Sequence, residues 1–323
     1  MKKSFYFMSL LLGLAVSGLT VSSCSDDDEE GGGGAISSDL FSIIDQNGTP
    51  HRVTSWETDD DYLYFDYNDK GVLSEIDWDG DYYDVTVSGS SITLSYSDDE
   101  YKENVKVTLN GKGLITGSTE TYSYNGDDDE YHETLTTSCS YNSAGQLVKI
   151  EEKDKYNEVY EGEKYTYSST GTSNITWADG NATKIAFVEN YNDDGEKGTR
   201  NEEVTLTYGT KVNPARQEIS DMMDFVAGQS YLYMLIPFGL LGTGPANLPS
   251  KVTYKDGDNA PEIYTPSYTL YSNGLIKQDG GWAYTYDEVQ KVAKKAQIYP
   301  VERRRALRSH KGRHFYKKMM TTN

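Results

Sequence analysis

Tyr141-Asn142-Ser143-Ala144-Gly145-Gln146-Leu147-Val148-Lys149-Ile150 aligns without gaps on Tyr67-Asn68-Asp69-Lys70-Gly71-Val72-Leu73-Ser74-Glu75-Ile76, and Tyr271-Ser272-Asn273-Gly274-Leu275-Ile276 is a copy one residue shorter. In each copy an Asn and a Gly, residues that tolerate positive φ, separate apolar residues spaced by two. That is the mark of two antiparallel strands joined by a tight turn. The copies are too few and too unevenly spaced for a solenoid, so they read as a favoured hairpin recipe. The same alternation recurs around them in Leu63/Phe65/Tyr67, Tyr83/Val85/Val87, Ile92/Leu94/Tyr96 and Val105/Val107/Leu109. Asp79-Gly80, Ser88-Gly89, Asn110-Gly111, Asp179-Gly180 and Asp194-Gly195 supply further turns. Roughly fifteen strands result, more than one open twisted sheet carries, and the expected fold is all-β: an antiparallel meander closing into a soluble, barrel-like domain over residues 36–290.

One helix is expected to interrupt the meander near residues 214–228. Asn213-Pro214 suits an N-cap and first turn, Ile219/Met222/Met223/Val226 form one stripe, and Gly228 suits the C-cap. It leads into Tyr231–Leu241, the most apolar stretch after the leader, which contains Pro237 and Gly239 and is too short to span a bilayer. This run is expected to plug or cap one end of the barrel or to cover a sheet edge; a ligand-contacting lid or apolar docking patch is the competing reading.

Outside this region the chain divides by charge. The formal charge is −21, yet Lys291–Asn323 holds 11 Lys/Arg against one Glu, and Cys24–Gln290 holds 17 basic against 50 acidic residues. A body that acidic excludes nucleic acid as a partner through long-range attraction. The basic tail, residues 291–323, is the only part suited to an anionic partner. At the other end Lys2 and Lys3 precede an apolar run that stops at Val21-Ser22-Ser23-Cys24. Residues 1–23 read as a secretory signal peptide. With cysteine at the cleavage point, the segment resembles a bacterial lipobox, which implies that Cys24 carries the lipid anchor of a lipoprotein in the outer membrane. The acidic run Asp26–Glu30 resembles the surface-export signal of such lipoproteins, and Gly31–Gly34 is a flexible tether, so residues 24–35 form an anchor segment displaying the domain at the cell surface.

The leader, the repeated hairpins, the Asn213-Pro214 segment with its apolar follow-on, and Leu248-Pro249-Ser250-Lys251-Val252-Thr253-Tyr254 together resemble an uncharacterised family of secreted β-rich lipoproteins, a domain of unknown function with a porin-like fold. The resemblance covers Phe41–Tyr286 and implies a fold, with no activity attached. Strands studded with Asp, Glu, Lys and Thr lack the outward apolar band of a membrane barrel, so a water-soluble barrel is expected.

No catalytic motif stands out. His51 and His132 are the only histidines of the body, and nucleophile elbow, HExxH, P-loop and CxxC patterns are missing. Cys139 is the only cysteine besides Cys24 and reads as a strand thiol with no activating neighbour. The acidic turns Asp77–Asp81, Asn125–Glu130, Asn192–Glu196 and Asp256–Asn259 offer oxygens that suit calcium without the spacing of a known loop; solvated tips are the plainer reading. Trp56, Trp78, Trp177, Trp282 and the 28 tyrosines suit sugar stacking, or more plainly cross-strand pairing. No cofactor and no catalytic residue are expected, and ligand-binding and metal residues are left unassigned. The expected role is a non-catalytic binding or scaffold module for a glycan or partner protein. A carboxylate-based hydrolase of surface glycans and a structural or adhesive envelope component are the alternatives.

Overall fold

The computed structural model describes residues 38–58, 61–126, 130–160, 162–219, 222–223 and 230–288. Cys24, the leader, the acidic run, the Gly tether and the basic tail lie outside the described residues. Behind a 3₁₀ turn at Ser38–Phe41 come short strands: β1 (Ser42–Ile44), β2 (Pro50–Glu57), β3 (Tyr62–Tyr67), β4 (Leu73–Trp78), β5 (Asp81–Ser88), β6 (Ser91–Ser97) and β7 (Tyr101–Leu109). The strands then lengthen: β8 (Ile115–Asn125), β9 (Glu130–Tyr141), β10 (Leu147–Tyr160), β11 (Glu163–Ala178), β12 (Asn181–Asp193) and β13 (Glu196–Val212). After an insert come β14 (Asn247–Asp256), β15 (Glu262–Tyr264), β16 (Tyr268–Leu270), β17 (Ile276–Asp279) and β18 (Trp282–Glu288). Eighteen strands among the described residues replace the expected fifteen; the surplus lies in short pieces such as β1, β15 and β16 that alternation over three residues does not reveal.

Neighbours in sequence pair antiparallel from β2 to β15 and from β16 to β18. The last strand then pairs back on β2, with Tyr284 opposite Trp56. The sheet therefore curls into a barrel with one seam, between the short strands β15 and β16. There Lys211 at the end of β13 reaches across, donating to the Tyr268 carbonyl and lying over the Tyr268 ring. Pro261 and Pro266 flank β15 and deny the open edge N–H donors, which discourages a foreign strand from pairing.

The hairpin recipe has a common physical basis at one end of the barrel. Asn68, Asn110 and Asn142 each turn the side-chain oxygen back to accept from the backbone N–H two and four residues on, at 2.8–3.1 Å. Asp45 does the same toward Asn47 and Thr49. Each five-residue turn closes on a glycine in the left-handed region, Gly48, Gly71, Gly113 and Gly145, with φ of 75–82°. A tyrosine beside two of these turns donates across to a neighbouring strand carbonyl, Tyr67 to Val53 at 2.8 Å and Tyr141 to Ile115 at 2.6 Å.

The insert between β13 and β14 fills that end from within. Tyr231–Phe238 is a 3₁₀ helix whose Leu232, Met234, Leu235, Ile236, Pro237 and Phe238 are buried. Phe238 meets Phe41 and Phe65 edge-on at 5.3 and 4.9 Å, and Tyr233 packs on Trp56 at 4.7 Å. Each such side chain removed from water contributes about 1.5–3 kcal/mol, so the apolar run is a plug, in line with the first of the two expectations. The helix expected from Pro214 begins later. Asn213 is fully buried and uses its amide to donate to the Gln217 and Pro245 carbonyls, pinning a loop rather than capping a helix, and Arg216 takes φ of 53°. Met222 and Met223 are helical, the Met223 N–H donating to Ile219, and with Ile219 they are buried; Val226 and Gly228 lie outside the described residues.

Candidate functional site

Beyond the plug the long strands β8–β13 carry a different interior. Tyr96, Glu103, Tyr122, Glu133, Tyr156 and Tyr167 are cross-strand partners in one row over six consecutive strands, β6 to β11. Ring stacking follows from the register: Tyr131 to Tyr156 is 5.3 Å, Tyr156 to Tyr167 is 5.0 Å and Tyr167 to Tyr191 is 6.5 Å, with interplanar angles of 28°, 14° and 14°. Gly198 makes room for the last ring, because a Cβ there would lie 2.2 Å from Tyr191. Rings stacked on one another spend their faces on the sheet, which is the plainer of the two readings of the tyrosines. What they turn to the interior is edges and hydroxyls.

The hydroxyls donate to carboxylates, Tyr131 to Glu133 at 2.7 Å, Tyr167 to Glu189 at 3.1 Å and Tyr83 to Glu103. Burial first, then the charges of Asp193, Glu158, Asp154 and Glu133, pushes the Tyr156 phenol up to about 12. Closer to the plug runs a second row, Ser118, Thr137, Glu152, Gly171, Glu189 and Arg200, across β8 to β13. Burial first, then the charges of Glu120, Glu189 and Asp154, push the Glu152 carboxyl up to about 7. Glu120 accepts from the Ser118 hydroxyl at 2.8 Å, the Ser230 hydroxyl and the Tyr231 N–H at 2.8 Å, so it holds the start of the plug; burial still raises its pKa. Arg200 is the sole cation in this row and is bound to Glu202.

The residues singled out in the sequence are used elsewhere. Trp56 is fully buried and stacks on Trp282 at 4.1 Å, Trp78 packs on Tyr231 and Tyr233, and Trp177 donates to the Leu147 carbonyl at 2.7 Å. His51 is buried against Asp45 at 3.0 Å, a turn contact, while His132 faces solvent on β9. Cys139 is buried and its thiol is pushed up to about 12 by burial, an inert sulfur. In the acidic turns, Asp77 accepts from Gly80, Asp79 from Tyr62 and Asp194 from Thr166. Among the described residues no group of His, Cys, Asp or Glu converges closely enough to hold a metal ion.

Neither interior row is visible to a search for apolar alternation, since inward Tyr and Glu alternate with outward Thr, Ser and Lys. The usable signal is the i, i+2 spacing of Tyr and acid in Tyr131/Glu133, Asp154/Tyr156 and Glu189/Tyr191. The outer wall is polar along the same strands, Lys102, Asn104, Lys106 and Thr108 on β7 and Glu151, Lys153, Lys155 and Asn157 on β10 being exposed. Lipid would meet charge there, so this wall is built for water.

No protein-family model and no curated protein matches the chain. Among solved structures it is similar to a porin-like protein from Bacteroides vulgatus ATCC 8482, with 15% identity over 73% of this chain and 93% of that one and a TM-score of 0.45. A porin-like protein from Bacteroides uniformis ATCC 8492 gives 18%, 73%, 96% and 0.41. At such scores the likeness lends no weight to the barrel assignment, which stands on the strand registers.

Proposed function

We propose that the chain is a non-catalytic binding module of the cell envelope, anchored through lipid on Cys24 and displayed outward, which takes a glycan on the concave face of β6–β13. The observation behind this reading is the Tyr–Glu row, six cross-strand partners wide, placed on the inner face where a plugged barrel needs only apolar filler. Buried carboxylates and phenols are costly to maintain, and a hydroxyl-rich ligand returns hydrogen bonds to them. The full chain run through native gels containing a panel of polysaccharides, with and without calcium, is retarded by one of them, and Tyr156→Ala abolishes that retardation while far-ultraviolet dichroism stays unchanged. No retardation by any polysaccharide overturns the glycan reading. The anchor is tested separately: Cys24→Ala moves the chain from the membrane fraction to the soluble one.

One observation favours a hydrolase as the second reading. Glu152 is raised to about 7 among neighbouring carboxylates, the environment that separates an acid from a base in glycoside cleavage. Release of reducing ends from the retarding glycan, lost in Glu152→Gln, would select it.

A further inference from the structure

The outer wall of the barrel is not uniform in charge. On β3, β4 and β5 the inward residues Leu63, Phe65, Ile76, Tyr83 and Val85 are buried, which turns Tyr62, Tyr64, Asp66, Glu75, Asp77, Tyr82 and Asp84 outward. The register gathers these into one patch: Tyr64, Asp77 and Tyr82 are cross-strand partners, and so, beside them, are Asp66, Glu75 and Asp84. Tyr64 and Tyr82 are each 43% exposed, and the Tyr62 ring lies 4.9 Å from that of Tyr64. These three strands contain no Lys or Arg. Arg52, on the neighbouring β2, lies over the Tyr67 ring at 5.2 Å, toward the turn that carries Lys70. Farther round the wall the balance reverses. Lys102 and Lys106 on β7 and Lys153 and Lys155 on β10 are exposed, and the acids Glu151 and Glu203 are paired with Lys149 and Lys184.

Like charges directly opposite one another destabilise a sheet, so a row of carboxylates on strands without lysine or arginine calls for a cation from elsewhere. Burial, with the charges of Asp66 and Asp81 behind it, raises the Asp77 carboxyl although the Gly80 N–H donates to it. Burial and the charges of Asp77 and Asp79 push the Tyr62 phenol up to about 12. A guanidinium suits both parts of the patch, because its fork pairs with carboxylates and its plane stacks on exposed rings. A neutral sugar would use the rings and leave the carboxylates uncompensated. The chain carries its own source of guanidinium groups in Arg303-Arg304-Arg305, followed by Arg308 and Arg313, within the tail outside the described residues. The last described strand, β18, pairs with β2 and β2 with β3, so the chain leaves the barrel two strand spacings, about 10 Å round the wall, from the patch. Between Glu288 and Arg303 it reaches about 50 Å when extended. Tethering at this range gives the arginines roughly millimolar effective concentration. We infer that the outer Tyr/acid patch of β3–β5 is the docking surface of the chain's own basic tail, residues 291–323, with arginines of the 303–305 cluster stacked on Tyr64 and Tyr82 among the carboxylates of Asp66, Glu75 and Asp84. This docking uses the outer face of the sheet and is independent of the glycan reading.

The test is zero-length crosslinking of the full chain in non-ionic detergent at about 20 mM salt, where screening is weak, read by mass spectrometry. A carbodiimide joins a lysine Nζ to a touching carboxylate as an amide and leaves as its urea. An equal mixture of nitrogen-15-labelled and unlabelled chains separates links within one chain from links between two. Lys311, Lys317 or Lys318 is expected to join Asp66, Glu75 or Asp84 within one chain. The yield is expected to fall at least tenfold in Arg303→Ala/Arg304→Ala/Arg305→Ala, in Tyr64→Ser/Tyr82→Ser, and in the parent at about 500 mM salt. The arginine variant lies wholly in the tail, so the result does not hang on how the tyrosine variant folds. Links to acids elsewhere on the barrel overturn the seat. Links of mixed isotope make the occupant the tail of a second copy and overturn docking within one chain. A yield unmoved by both variants means diffuse attraction to an acidic body and overturns the inference, as does the absence of any link. A polysaccharide whose retardation is lost in Tyr64→Ser/Tyr82→Ser, in a chain without tail links, places a glycan on these rings and overturns the tail as occupant.

Discussion

Glu218 shows how much a single side chain can set pH behaviour here. It is buried, and burial outweighs the Leu241 backbone N–H, which favours its ionised form. Burial holds its pKa well above 4.5, so the folded chain keeps a proton that the unfolded chain gives up. The stability linked to this group is fully present below the unfolded value and is lost as pH rises through the folded one. Glu218→Gln is therefore expected to unfold at a higher temperature than the parent at pH 8, the gap closing by pH 4; a constant gap across that range would mean the carboxyl is not the titrating group. Gly198 is the opposite case, a residue that matters for what it lacks. With a Cβ 2.2 Å from the Tyr191 ring, Gly198→Ala must expel the ring from the stack, an overpacking cost of about 1–3 kcal/mol readable in urea unfolding. Neither residue stands out in the sequence, because burial of Glu218 and the ring over Gly198 both depend on partners far along the chain.

At the scale of elements the turns were the legible part and the insert was not. An Asn-x-x-Gly turn is a local object: its hydrogen bonds join residues two and four apart, so five letters specify it. Asn110 and Asp45 extend the recipe beyond the three copies that sequence alignment finds, since the geometry needs the acceptor and the glycine and is indifferent to the flanking tyrosine. Asn142→Ala is expected to cost about 1–2 kcal/mol, and more than Asn68→Ala, because Asn142 also donates to the Gln146 Oε1 at 2.8 Å. Equal losses at the two sites, measured by thermal melts, would show that the side-chain amide adds nothing. The loop after Val212 misled because Asn213-Pro214 satisfies the local rules for a helix start while Asn213 answers instead to Pro245, 32 residues on. Local rules describe turns well and lose to long-range bonds wherever a segment is buried.

For the whole molecule the plug decides whether the barrel is a solid or a shell. The short strands β2–β5 close around it with apolar side chains, while β6–β13 add apolar residues to the same core and turn to Tyr and Glu elsewhere along their inner face, so one ring of strands serves both a core and a concave polar face. That division was only half legible: apolar alternation marks the core strands, and the polar half carries no hydrophobic signal. The two halves meet at Glu120, which belongs to the polar face by sequence position and to the plug by its bonds to Ser230 and Tyr231. Replacing it with alanine leaves three donors unmet, the Ser118 and Ser230 hydroxyls and the Tyr231 N–H, a loss of about 2–4 kcal/mol at the usual cost of unsatisfied groups. Because Trp56 and Trp78 of the wall pack on Tyr233 of the plug, its loosening in Glu120→Ala should flatten the near-ultraviolet dichroism and raise binding of an apolar dye, with the far-ultraviolet strand signal retained. A variant that melts as the parent does, with its aromatic signal intact, would mean that the apolar contacts alone seat the plug and that Glu120 serves the concave face only.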